Sequence, residues 1–214
     1  PQQKALWAEH LAKLPRIDLS GKINRTVLAQ GAREDGKHSP DGYWAHPTTV
    51  MLKDGKALLA VWTYYHGGHA GPMARSDDGG VTWKRMDEIL PANYWNFKNC
   101  PSIYRLTDPK GKERIWVFAS RTLGSAEENV REIPGRKEGY MPRIMSEDDG
   151  TTWREMEPLG AFNRQSPWRC VMTFCGIVRL KDGSYLGQFH RFKSPLNDDH
   201  YQIMQSITRD GGLT

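Results

Sequence analysis

Ser146-Glu147-Asp148-Asp149-Gly150-Thr151-Thr152-Trp153 decides the fold because the chain contains it more than once: Ser76-Asp77-Asp78-Gly79-Gly80-Val81-Thr82-Trp83 matches it in the pattern S/T-x-D-x-G-x-T-W. A third copy, Thr208-Arg209-Asp210-Gly211-Gly212-Leu213-Thr214, runs to the position before the Trp. The three central aspartates, Asp78, Asp148 and Asp210, are spaced by 70 and then 62 residues. A recurrence on that scale is the mark of a duplicated supersecondary unit. Each part of the box has a physical task. The Asp carboxylate accepts from amides of its own turn, the Gly takes a left-handed conformation, and the Trp wedges between sheets. A structural role is therefore assigned to Ser76, Asp78, Gly80, Thr82 and Trp83, to Ser146, Asp148, Gly150, Thr152 and Trp153, and to Thr208, Asp210 and Gly212. Three copies cannot all sit at one catalytic centre.

Upstream of the boxes the likeness continues. His46-Pro47-Thr48-Thr49-Val50-Met51-Leu52 aligns with Cys100-Pro101-Ser102-Ile103-Tyr104-Arg105-Leu106 and with Phe174-Cys175-Gly176-Ile177-Val178-Arg179-Leu180. Tight turns follow at Lys53-Asp54-Gly55-Lys56 and Lys181-Asp182-Gly183-Ser184, with a longer one over 107–112; Asp-Gly suits the positive φ of a hairpin. Short apolar runs at 57–63, 114–119 and 184–190 read as buried central strands. A third strand is expected at 73–76, 143–146 and 203–206, and a fourth at 81–86 and 152–156. Four antiparallel strands per unit make a β-propeller blade, so the fold class is all-β. The expected layout is an N-terminal helix and lead-in over 1–18, a closing strand over 19–30, and blades over 43–86, 97–156 and, incomplete, 170–214.

Composition narrows the function. The chain has 214 residues, 38% of them hydrophobic and 26% charged, with a net charge of +5. It carries no apolar run long enough to span a bilayer and no concentrated basic stripe, so neither a membrane span nor nucleic-acid binding is expected. Three cysteines, Cys100, Cys170 and Cys175, show no zinc spacing and read as small buried hydrophobes. Twenty-one Gly, thirteen Pro and eight Trp suit a turn-rich β protein with aromatics for sugar faces.

The boxes resemble the Asp-box (BNR) repeats of the sialidase, or neuraminidase, superfamily. The resemblance implies a six-bladed propeller with about three blades present here, the remaining blades completing the ring, and boxes on the face opposite the active site. It also implies a secreted or periplasmic glycoside hydrolase of carbohydrate metabolism that takes a glycan or oligosaccharide substrate. Two departures mark a divergent member: Ala45-His46-Pro47 stands where sialidases carry Arg-Ile-Pro, and the loop His66-Gly67-Gly68-His69-Ala70-Gly71-Pro72 holds no carboxylate.

If the boxes mark one end of each blade, the functional face is the other end. His46, at the start of an inner strand, and His66 and His69, on a glycine-rich loop, are the candidate catalytic residues, since imidazole exchanges protons near neutrality. Trp44, Tyr65, Lys98, Asn99, Arg121, Arg143, Arg169 and His190 are candidates for substrate contact. The arginine forks suit a sugar carboxylate or sulfate. Glu127, Glu128, Glu132, Asp198 and Asp199 could supply a carboxylate pair across the funnel. His66 and His69 lack an adjacent third ligand, so no metal and no cofactor is expected. The leading expectation is a sialidase-like exo-glycosidase acting on an acidic or complex glycan. A non-catalytic glycan-binding propeller and a polysaccharide lyase using His and Tyr are the alternatives.

Overall fold

The computed structural model describes residues 44–64, 70–120, 141–159, 172–192 and 201–214. Eleven strands form three antiparallel sheets among these residues. The first sheet runs β1 (Trp44–Met51), β2 (Leu58–Tyr64), β3 (Ala70–Ser76), β4 (Lys84–Arg85). The second runs β5 (Lys98–Thr107), β6 (Glu113–Ser120), β7 (Arg143–Ser146), β8 (Arg154–Met156). In the third, β10 (Tyr185–Phe192) lies between β9 (Gly176–Arg179) and β11 (Tyr201–Thr208). Each sheet is a meander in chain order, the build of a propeller blade. The expected N-terminal helix and closing strand, 1–18 and 19–30, lie outside the described residues.

β6, the second strand of the middle sheet, is apolar on both faces because a sheet packs on either side of it, and β2 is buried from its second residue onward. Leu59, Val61, Ile115, Trp116, Val117 and Phe118 are all buried. The hairpins before β2 and before Tyr185–Phe192 close as Asp-Gly turns. Asp54 Oδ1 accepts from the amides of Lys56 (2.9 Å) and Ala57 (2.8 Å), with Gly55 at φ 70. Asp182 does the same for Ser184 (3.0 Å).

The boxes form the turn after each third strand and share most of their hydrogen bonds. Asp78 Oδ1 accepts from the amides of Val81 (3.0 Å) and Thr82 (2.8 Å), and Oδ2 accepts from the Thr82 hydroxyl (2.6 Å). Ser76 Oγ donates to Asp78 and accepts from the Gly80 amide, each at 2.8 Å. Asp148 takes the Thr152 amide (2.9 Å) and hydroxyl (2.5 Å); Asp210 takes the amides of Leu213 (2.9 Å) and Thr214 (3.0 Å). These bonds correct the expected fourth strands. Amides at 81, 82 and 152 serve the carboxylate and not a ladder, so the strands begin only at Lys84 and Arg154.

The second and third boxes also clamp their sheets to the preceding one. A Cβ on Gly150 would lie 2.4 Å from Leu59 Cδ1, and one on Gly212 would lie 2.9 Å from Leu106 Cδ1 and 3.1 Å from Trp116 Nε1. Trp116 Nε1 donates to Gly211 O (2.9 Å), and Arg105 links Asp149 (2.5 Å) to Met51 O (3.0 Å). Two core clusters fill the seams. One joins Leu52, Leu59 and Val61 of the first sheet to Ile103, Ile115, Ile144 and Trp153 of the second. The other joins Leu106, Trp116, Phe118 and Met145 to Phe174, Tyr185 and Phe189 of the third.

Candidate functional site

Strand register separates the two ends of the blades. Met51 pairs with Leu58 and Leu58 with Ser76, which puts the first hairpin and the first box together at one end. Trp44 pairs with Tyr64, and Thr63 with Ala70, at the other. Lys98 opposite Ser120 and Phe192 opposite Tyr201 mark that same far end in the second and third sheets. Residues 65–69, 121–140 and 193–200 connect second strands to third strands there, and 160–171 connects the second sheet to the third.

The innermost strands share an unusual entry at this end. His46 has φ 55 and Cys100 φ 44, and each precedes a proline, where the backbone is ordinarily extended. Both fall inside a register shift, Ala45/Thr48 in β1 and Lys98/Ser102 in β5. They occupy the same repeat position, so the bulge is a duplicated feature. His46 is exposed and Cys100 half-buried; burial pushes the Cys100 thiol up to about 11.

Below these residues a chain of hydroxyls ties the innermost strands together. Thr48 Oγ1 donates to Pro101 O (3.2 Å) and accepts from the Ile103 amide (3.1 Å). Ser102 Oγ shares a 2.9 Å hydrogen bond with Thr173 Oγ1, which donates to Phe118 O (3.1 Å), and the Tyr104 hydroxyl donates to Phe174 O (3.1 Å). Sequence reading missed this belt, although Thr48 and Ser102 sit at one repeat position and both carry a hydroxyl.

Of the expected substrate-contact side chains, Trp44, Arg143 and His190 are among the described residues, one in each sheet. Arg143 is a correction: it is 4% exposed, and its guanidinium lies 4.7 Å from the Trp116 ring centroid. It donates to the carbonyls of Glu157 (2.7 Å), Gly212 and Leu213 (3.0 Å). Burial pulls its pKa down to about 10, so it stays protonated at neutrality as an internal strut between the second sheet and the third box. Trp44 is half-buried with its indole 5.7 Å from Trp62 and edge-on to Tyr64 at 5.8 Å. The Arg85 guanidinium lies over Trp44 and Trp62 at 5.7 and 5.6 Å. This aromatic cage, held by the Arg85–Asp87 ion pair, belongs to the face of the first sheet turned away from the second. His190 pairs across the ladder with Ile203, on the face of the third sheet that also bears Val178 and Ile207. Burial lowers its pKa.

Lys98 and Asn99 lie in the entry of β5, and their side chains are outside the described residues. So are Tyr65, His66, His69, Arg121 and Arg169, together with Glu127, Glu128, Glu132, Asp198, Asp199 and Cys170. Among the described residues no helix is long and apolar enough to cross a membrane, and no group of three or more His, Cys, Asp or Glu side chains could hold a metal ion.

No protein-family model and no curated protein sequence matches the chain significantly. Solved structures do. An α-L-arabinofuranosidase from Fusarium graminearum, in complex with an iminosugar inhibitor, superposes with a TM-score of 0.54 at 18% identity, over 79% of this chain and 46% of its own. A Penicillium chrysogenum α-L-arabinanase complexed with arabinobiose gives 0.51 at 20% identity, over 78% of this chain and 46% of its own. A Hadza microbial sialidase gives 0.55 at 20% identity, over 83% and 37% respectively. The chain thus spans less than half the length of each of these structures. Sheet order, register and these superpositions together make it an all-β part of a β-propeller, in the fold these proteins share with it.

Proposed function

We propose that this chain is part of a glycoside hydrolase, built on a sialidase-like propeller, that removes residues from the end of a complex or acidic glycan. The observation that carries the reading is the strained pair His46 and Cys100, at one repeat position, at the end of the blades opposite the boxes. A left-handed residue other than glycine costs roughly 1–3 kcal/mol, and such residues collect where ligands are bound or transformed. Of the two, only His46 is exposed, and imidazole is the side-chain type suited to proton exchange. In this reading His46, with His66 and His69 from the adjoining 65–69 connection, handles the proton of the leaving-group oxygen. Tyr65, Lys98, Asn99, Arg121 and Arg169 contact the sugar. The solved structures of shared fold support this, being an arabinofuranosidase, an arabinanase and a sialidase. With Arg143 engaged by backbone carbonyls, preference for an acidic sugar rests on Arg121 and Arg169.

The test is turnover of aryl α-L-arabinofuranosides and aryl α-sialosides by the chain and by His46→Gly. Glycine accepts the φ of 55 without a Cβ penalty, so this variant removes the imidazole and leaves the backbone at ease. Release of the aryl group that falls at least about tenfold in a folded His46→Gly variant supports the reading. Oligosaccharide binding with no turnover would establish a glycan-binding propeller instead.

A further inference from the structure

Cys100 lies in the entry of β5 and Cys175 immediately precedes β9, so the first strands of the second and third sheets each carry a thiol at or beside their opening residues. Both thiols are free, Cys100 half-buried and Cys175 exposed.

Hydrogen bonds draw the two segments together around them. Ser102, two residues after Cys100, shares its 2.9 Å hydrogen bond with Thr173, two residues before Cys175. The Tyr104 hydroxyl donates to Phe174 O at 3.1 Å, the carbonyl of the peptide bond that leads into Cys175. Consecutive Cα atoms are about 3.8 Å apart, so each cysteine is within two such steps of a residue that touches the other strand. Electrostatics agrees with this placement. Burial is the main reason the Cys100 thiol and the Tyr104 phenol are raised, and negative charge on Cys175 raises both further.

The two backbones differ in freedom. The Cys175 amide donates to Gln188 O (2.8 Å) and its thiol lies 3.9 Å from Thr173 O, which anchors it to the third sheet. Cys100, at φ 44, falls inside the register shift between Lys98 and Ser102 and stands out of the ladder with β6. A bulge is the kind of irregularity that re-aims a side chain while the ladder on either side stays intact.

We propose that Cys100 and Cys175 are a disulfide-forming pair that staples the second sheet to the third, toward the end of the blades opposite the boxes. The exposed Cys175 thiolate attacks a small-molecule disulfide such as oxidised glutathione, forming a mixed disulfide and releasing one glutathione thiolate. The Cys100 thiolate then attacks Cys175 Sγ and releases the second. The protein gives up two thiol protons and two electrons, and one glutathione disulfide becomes two glutathione thiols. Trp116 and Arg143 already tie this seam to the third box at its other end, so the bond fixes the seam at both ends. A half-buried thiol also gives the reduced state none of the thiolate stabilisation that makes a disulfide easy to reduce.

A cross-link between positions 75 residues apart restricts the unfolded chain enough to raise the unfolding temperature by roughly 8–16 °C for a chain of this size. To test this, the folded chain is incubated with oxidised glutathione, digested without reduction and mapped by peptide mass. Its unfolding temperature is measured before oxidation, after it, and again after dithiothreitol. The expected results are a Cys100–Cys175 linked peptide from a monomer and an unfolding temperature that rises on oxidation and falls back on reduction. Cys175→Ser, which keeps a small hydroxyl in place of the thiol, should show neither. A lasting glutathione adduct on Cys175, or a bond from either cysteine to Cys170 or to a second chain, would overturn the proposal. So would a linked chain that unfolds at the same temperature as the reduced one, or a rise on oxidation that persists in Cys175→Ser.

Discussion

Gly150→Ala and Gly80→Ala place the same methyl group at the same box position, once inside a blade seam and once outside one. Both glycines are left-handed, with φ +87 and +91, so each substitution carries the same backbone penalty of roughly 1–2 kcal/mol. The surroundings differ. A Cβ at Gly80 meets only ordinary contacts, Leu58 Cδ1 at 3.5 Å and Trp83 at 3.7 Å. A Cβ at Gly150 falls 2.4 Å from Cδ1 of Leu59, a fully buried residue of the preceding sheet. Leu59 cannot turn away without disturbing Val61, Ile115 and Trp153 in the same cluster. Forcing a methyl into packing of this kind costs a further 1–3 kcal/mol or so. Gly150→Ala should therefore be destabilised by about 2–5 kcal/mol and Gly80→Ala by about 1–2 kcal/mol. For a chain of this size the difference is roughly 2–12 °C in unfolding temperature. Urea titration followed by tryptophan fluorescence, with thermal scans alongside, measures both. If the two variants unfold within about 0.5 kcal/mol of each other, the box does not clamp one blade to the next and the seam argument fails.

Arg143→Met should cost about 2–4 kcal/mol, because three carbonyls lose a charged donor; it should leave glycan turnover per folded molecule intact, and a folded variant without turnover would return Arg143 to the site. Asp78 is held down to about 2, chiefly by the Thr82 hydroxyl and amide, and Asp148 and Asp210 are lowered as their hydrogen bonds outweigh burial. Carboxylates depressed in the folded state stabilise above their unfolded pKa and lose that contribution as acid protonates them. The unfolding temperature should thus fall between about pH 4 and pH 2, and the fall should be shallower in Asp78→Asn, a flat profile in the parent chain being the contrary result. Cys175 is exposed, whereas Cys100 is half-buried with its thiol raised to about 11, so iodoacetamide at pH near 8 should label Cys175 first by peptide mass mapping; preferential labelling of Cys100 would contradict the burial given for it.

The sequence alone determined the repeat, and through it the architecture. Asp-x-Gly-x-Thr-Trp is a local device: Asp78 bonds amides three and four residues away, so its geometry can be written into eight consecutive residues and read back from them. The same holds for the Asp54 and Asp182 hairpins and for the apolar second strands. Strand ends were less legible. Val81, Thr82 and Thr152 have strand propensity, but a carboxylate within the same turn competes for their amides. What only the tertiary structure decided was the direction of each side chain. Arg143 opens a third strand in sequence, and its guanidinium lies at the next blade's box because Gly212 and Leu213 present carbonyls across the seam, 69 and 70 residues later. Trp44 opens an inner strand, and its ring is fixed by Trp62 and by Arg85, a residue of the fourth strand. The left-handed turns at His46 and Cys100 leave only a proline as their local sign, since the bulge arises from pairing with the second strand, and pairing is a property of two segments together.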